Sequence, residues 1–183
     1  MKPALLVIDV QKAFFKNPET TQSLNQAIAQ INMGIELFRE KRLPIICIQH
    51  MVKENGLLPG TEGFDLPESL GILPTDPHIH KTYGNAFNKT SLEALLRELH
   101  VDTLIITGYC AEYCVFSTYR GALDLDFTPV LLRGAIASRS PANIPFVENV
   151  NDIISYGILK KLLTSFKTSQ DNNQEYYNLK KML

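Results

Sequence analysis

The sequence predicts a three-layer α/β domain built on a mostly parallel sheet. Three observations carry that expectation. Short apolar, β-branched runs of strand length recur at Ala4–Ile8, Ile45–Ile48, Val101–Ile106 and Phe127–Leu132. Between them, apolar residues repeat every three or four positions, the period of a helix with one buried face. Nothing repeats internally, and strands alternating with helices fold as βαβ units with helices covering both faces of the sheet.

The first strand, Ala4–Ile8, closes on Asp9-Val10-Gln11. An acid at the carboxyl end of a buried strand is costly unless it is paired, and in an open parallel sheet that end faces ligands. Asp9 is thus either a ligand-edge acid or the cap of a turn. Gln11, Phe14 and Phe15 follow, as pocket lining or as the start of a loop. Thr21–Lys41 reads as an amphipathic helix, with Leu24, Ile28, Ile31, Ile35 and Phe38 on one face and Pro44 beyond its end. Ile45–Ile48 is a second strand that ends in Gln49-His50, with Cys47 as a core thiol. Met51–Pro77, rich in Gly and Pro, reads as a long loop of the kind used for lids or interfaces.

In His78-Ile79-His80-Lys81, alternation puts the two histidines on one face of a strand and Ile79 and Lys81 on the other. No Asp or Cys nearby completes a ligand set, so His78 and His80 read as half-exposed strand residues. A metal site built from His50, His78 and His80 is the weaker alternative. Lys81 ends its strand just ahead of Gly84-Asn85. Thr90–Leu99 is a further amphipathic helix, and Pro129 gives the Phe127–Leu132 strand an edge or end position. Ile144 or Pro145 opens a helix carrying Phe146, Val147, Val150, Ile153 and Ile154. Ile158–Phe166 fits either a last strand or a helix. From about residue 167 the chain is polar, with a docked or mobile tail expected.

The 183 residues fit one domain, 1–183, able to bury about 70% of the surface that the unfolded chain exposes. A hydrophobic share of 45% and a formal net charge of −1 give no basis for a nucleic-acid or anionic-membrane partner. The apolar run before Asp9 is too short for a secretory signal, and no stretch is long enough to span a bilayer. Three cysteines, none in Cys-x-x-Cys spacing, argue against a disulfide framework or a zinc ribbon. A cytoplasmic location is expected.

The chemistry centres on Thr107-Gly108-Tyr109-Cys110-Ala111-Glu112-Tyr113-Cys114-Val115-Phe116, between the Val101–Ile106 strand and a helix from Ser117. A strand turning sharply into a helix gathers backbone N–H groups and the positive end of the helix dipole around one spot. Cys114 sits there, where a thiolate is stabilised. Asp9, Lys81 and Cys114 each fall at the carboxyl end of a predicted strand, and in a parallel sheet those ends share one edge. An ammonium lowers a thiol pKa, and a carboxylate in reach takes the thiol proton and returns it to a leaving amine. Backbone N–H groups between Gly108 and Cys114 would stabilise a tetrahedral oxyanion. Tyr109, Tyr113, Phe14 and Phe87 are either pocket walls or core aromatics.

Val7-Ile8-Asp9-Val10-Gln11, Gly60-Thr61-Glu62-Gly63, Lys81, Ala86-Phe87, and Thr107-Gly108 ahead of Cys114-Val115 with Thr118 and Ala122 resemble the isochorismatase-like cysteine hydrolase superfamily. The likeness runs over roughly residues 4–140. It implies a Rossmann-like, six-stranded parallel sheet of order 3-2-1-4-5-6 and an Asp9–Lys81–Cys114 triad. It also implies a cis peptide bond from Tyr109 to Cys110, and an oxyanion hole from the amides of Cys110 and Cys114. Gln11, Phe14, His50, Asn85, Phe87, Tyr109 and Tyr113 are the pocket candidates. Nicotinamidases of this superfamily bind a metal through an Asp two residues before a His; here Ile48 precedes His50, so no metal or cofactor is expected. Ala111 stands where Thr is frequent, Asn85 where Ser is frequent, and Gly134 where an Asp is common. The retained Cys114 points to hydrolysis of a C–N bond in a small amide, ureide or carbamoyl compound. Vinyl-ether hydrolysis with Asp9 as general acid, and a non-catalytic binding protein on the same fold, are the alternatives. A small-molecule substrate and a homodimer or homotetramer are the partners the resemblance implies.

Overall fold

A computed structural model describes residues 1–165; the expected tail from about 167 lies outside the described residues, as does Phe166. Six strands run parallel: β1 (Pro3–Ile8), β2 (Ile45–His50), β3 (His78–Lys81), β4 (Thr103–Tyr109), β5 (Thr128–Ala137) and β6 (Ile153–Ile154). Their order is β3-β2-β1-β4-β5-β6. The helices are α1 (Pro18–Glu40), α2 (Leu92–Glu98), α3 (Phe116–Asp124), α4 (Ile144–Asn149) and α5 (Tyr156–Ser165).

Every residue of β1 is buried, and its alternation splits the core in two. Leu5 and Val7 pack with Leu24, Ile28, Ile31, Ile35 and Phe38 of α1 and with Leu159 and Leu163 of α5. Ala4, Leu6 and Ile8 face the opposite layer, with Leu92 and Leu96 of α2, Tyr119 and Ala122 of α3 and Val147 of α4. Each fully buried aliphatic side chain contributes about 1.5–3 kcal/mol of transfer free energy. That burial on both faces is why the strands read as unbroken apolar runs.

Helix α1 starts three residues earlier than expected. Asn17 caps it by accepting the Thr20 N–H at 2.9 Å, with Pro18 in the first helical position; a proline there removes an N–H that would have no partner anyway. Helix α2 is shorter than Thr90–Leu99. Strand β5 is longer than Phe127–Leu132, because a bulge between Leu131 and Ile136 lets it continue past Gly134, whose φ is 75°. Pro129 is near its start, on an interior strand, but β6 reaches only Leu131 and Leu132.

Ile153 and Ile154 belong to β6 and not to the helix before it. Helix α4 ends at Asn149, with Phe146 59% and Val150 40% exposed. A turn follows in which Asn151 donates to the Val147 carbonyl and the Asp152 N–H donates to the Tyr119 hydroxyl. The described part of the ambiguous segment, residues 158–165, is helical and belongs to α5. An apolar pair carries no distinguishable period, so the sixth strand was invisible to periodicity.

Candidate active site

The carboxyl ends of β1, β2, β3 and β4 meet along one edge of the sheet. At the end of β4, Gly108 lies beside Ile8 with φ 116°, and a Cβ there would collide with the Ile8 backbone. The missing side chain lets β4 lie close against the end of β1, just ahead of Asp9. Asp9 follows at once with φ 53°, a left-handed conformation that Asp tolerates better than most residues. Its N–H continues the ladder to the Ile48 carbonyl at 2.8 Å.

Asp9 is 1% exposed, and so is Lys81, the last residue of β3. Two strand spacings, roughly 9–10 Å, separate β1 from β3, and the Lys81 side chain reaches across the intervening β2. Its Nζ donates to Asp9 Oδ2 at 2.7 Å, to His50 Nδ1 at 3.1 Å and to the Tyr83 carbonyl at 3.2 Å. An ammonium has three protons to give, and all three are accounted for. His50 therefore accepts at Nδ1 and is neutral. Burial and the adjacent ammonium hold its pKa down to about 4. Tyr83 enters through a main-chain oxygen, which leaves no trace in the sequence.

Cys114 sits in one turn of π-helix, Ala111–Val115, between β4 and α3, and is half-buried. The peptide bond from Tyr109 to Cys110 is cis. Cys114 Sγ, a carboxylate oxygen of Asp9 and a ring nitrogen of His50 lie within 4.8 Å of one another. Asp9 Oδ1 is buried with no hydrogen-bond partner. Three residues far apart in sequence thus converge around one carboxylate.

The electrostatics differ from the sequence expectation. Burial, with the charge of Asp9, pushes the Cys114 thiol up to about 12, against the opposing pull of Lys81. Burial likewise raises Asp9, and the charge and hydrogen bond of Lys81 only partly offset this. The ammonium that was expected to hold a thiolate is engaged by Asp9. The shift favours the protonated thiol, next to the Asp9 carboxyl group.

Asp9, His50 and Cys114 together present donor atoms of the kind that ligate a divalent ion, but the Lys81 ammonium already bridges Asp9 and His50. The nicotinamidase metal pattern does not fit: Ile48, in the place of its Asp, is a fully buried core residue. His78 pairs with Gln49 Oε1 at 3.0 Å, and His80 stacks edge-on against Phe64. Both lie on the face of β3 opposite Lys81 and so are not brought together with His50.

Residues 3–146 match the isochorismatase domain family. The chain belongs to the isochorismatase family. It is 34% identical over 139 residues to the uncharacterized isochorismatase family protein YrdC of Bacillus subtilis (strain 168), a match covering 75% of this chain and 74% of that one. N-carbamoylsarcosine amidase of Arthrobacter sp is 27% identical over 173 residues, covering 83% of this chain and 65% of that enzyme. A crystal structure of an isochorismatase family protein superposes with a TM-score of 0.75 at 32% identity, over 84% of this chain and 97% of that one. This is an isochorismatase-family hydrolase, with the strand order that the resemblance implied.

The pocket candidates of this isochorismatase-family chain separate by what they touch. Gln11 is fully buried, and its amide is spent on the main chain of His50, with donation also to the Phe64 carbonyl. It braces β2 and the long loop. Phe87 stacks on Phe127 at 5.8 Å within the α2–α3 core layer. Asn85 accepts the Phe87 N–H and rests against Gly121 of α3, where a Cβ would displace it. Phe14 lies 4.9 Å from Tyr109, centroid to centroid, and Tyr113 is 51% exposed beside Cys114. Of the seven candidates only Gln11 is fully buried; Phe14, His50, Asn85, Phe87, Tyr109 and Tyr113 are all partly open. A surface hollow of about 350 Å³ lies elsewhere, between α3 and the α4–β6 turn, and includes none of Asp9, Lys81 and Cys114.

Proposed function

We propose that the chain hydrolyses a C–N bond of a small amide, ureide or carbamoyl compound through a thioester on Cys114. The observation that carries this reading is the meeting of a half-open thiol with a buried carboxylate whose second oxygen has no partner. In the reaction, Asp9 takes the thiol proton as Sγ attacks the carbonyl carbon, and the carbonyl π electrons move onto oxygen. Backbone N–H groups of Cys110 and Cys114 would receive that oxyanion. As the oxyanion collapses, the C–N bond breaks and Asp9 gives its proton to the departing nitrogen. Water, deprotonated by Asp9, then attacks the thioester; the acid leaves and the thiol is restored. The Lys81 ammonium opposes the burial that raises Asp9 and so favours its ionised form. The amidase among the relatives supports the C–N bond over other targets.

Cys114→Ala tests this directly in a panel of ureido acids, N-carbamoyl amino acids, nicotinamide and isochorismate, read by release of ammonia or pyruvate. Loss of all turnover is expected; retained turnover refutes the nucleophile. The raised pKa of Asp9 favours one second reading, vinyl-ether hydrolysis with Asp9 as general acid. Activity lost in Asp9→Asn but kept in Cys114→Ala would select it.

A further inference from the structure

The Ala111–Val115 turn contains a second carboxylate that the reaction does not use. Glu112 Oε1 accepts from the Ser138 hydroxyl at 2.9 Å and from Asn143 Nδ2 at 3.0 Å, and Oε2 accepts from the Cys110 thiol at 3.2 Å. Ser138 is completely buried just past the end of β5; its N–H donates to Ser23 Oγ of α1, and its Oγ accepts from the Ser140 N–H. Asn143 closes the short 3-10 turn ahead of α4. One side chain therefore ties the turn to α4 directly and, through Ser138, to the end of β5 and to α1.

The turn has need of such an anchor. A π-helical turn is wide and has few backbone bonds of its own; here the Cys110 carbonyl accepts from both Tyr113 and Val115 at 3.0 and 3.2 Å. Burial alone would raise Glu112, but bonds from Asn143, its own N–H, Ser138 and Cys110 outweigh it and hold the carboxyl below the usual range. Bonds to an ionised acceptor are roughly twice as strong as neutral ones. The Cys110 thiol, pushed up to about 11 by burial, keeps the proton it donates.

We propose that Glu112 is the positioning residue of the catalytic turn, its carboxylate fixing the backbone N–H groups of Cys110 and Cys114 against the reacting carbonyl oxygen. This rests on the Cys114 thioester reading. It separates two events that share the sulfur. Acyl transfer needs the oxyanion donors in place, whereas alkylation by a haloacetamide needs only the deprotonated sulfur.

The test uses p-nitrophenyl acetate as acyl probe, followed as a burst of p-nitrophenolate, and iodoacetamide as alkylating probe, followed at Cys114 by mass spectrometry. Glu112→Ala is expected to slow acylation by about 10²-fold, the scale of a 1 Å misplacement, while Cys114 alkylates within about threefold of wild type. Glu112→Gln keeps an acceptor for Ser138 and Asn143 and is expected to recover most of the acylation rate. Should Glu112→Ala fail to fold, Asn143→Ala removes one anchor from outside the turn, with acylation expected to fall and alkylation to hold. A Cys114-dependent burst that Glu112→Ala leaves unchanged overturns the positioning role alone. Equal loss of acylation and alkylation, unrescued by Gln, assigns Glu112 to general stability and overturns it too. Wild-type acylation that survives Cys114→Ala overturns the nucleophile reading, and this one with it.

Discussion

The Asp9–Lys81 pair should cost stability only when it is broken from one side. Both side chains are out of contact with solvent, 1% and 0% exposed, at 2.7 Å. At that separation and an effective dielectric constant of about 20, their attraction is about 6 kcal/mol. Desolvation takes back several kcal/mol per ion, so the intact pair is close to neutral, while removing one partner costs about 3–5 kcal/mol. Asp9→Asn tests this cleanly, since Asn also tolerates the left-handed backbone at φ 53°; Lys81→Met keeps the stem and removes the charge. Each single variant is expected to lose roughly 6–20 °C in Tm, at about 2–4 °C per kcal/mol for a chain this size. The double variant should regain most of that loss while remaining inactive. Thermal unfolding by circular dichroism, with urea midpoints at neutral pH, measures the coupling. Burial raises Asp9 above 3.8, so the native state keeps a proton that the unfolded chain has released, and stability falls as pH rises from 3.8 through the folded value. Without Lys81 that window extends upward, so the Lys81→Met deficit should shrink toward about pH 4. Additive single effects, or shifts under about 2 °C, would mean that these groups are not a buried ion pair.

Two further outcomes follow from the same geometry. The Cys114 thiol, raised to about 12, should alkylate with iodoacetamide about tenfold faster per pH unit across pH 7–9; a plateau below pH 8 would show a stored thiolate. Gly108→Ala should fail to yield folded protein or lose several kcal/mol in urea unfolding, because its Cβ has no room beside Ile8 and its φ of 116° disfavours any side chain.

What was legible in the sequence was whatever periodicity and strand-end chemistry encode. The buried runs gave β1, β2 and β4, and the three- and four-residue spacing gave α1, because burial on both faces of a sheet and on one stripe of a helix leaves those patterns. Elements decided by few residues were not legible: the Ile153–Ile154 strand, the bulge that extends β5, and the π-helical turn. The candidate site divides in the same way. Asp9, Lys81 and Cys114 were visible as unusual residues at strand ends. The contacts of Gln11 and Phe87 were not, because a side chain that braces main chain or packs in a core layer and one that lines a pocket look alike in sequence.

The thiol pKa shows most sharply what a list of residues omits. From composition, a lysine near a cysteine lowers its pKa. In the fold, Lys81 gives one proton each to Asp9, His50 and Tyr83, and Cys114 is left facing a carboxylate in a desolvated corner. The same residues therefore predict opposite resting states, depending on which partner the ammonium takes. A thiolate resting state would need no base; a protonated thiol needs one in contact, and Asp9 has a buried oxygen without another partner. Under the proposed thioester chemistry, that contact is what activates Cys114 when a bound carbonyl gives the sulfur somewhere to go.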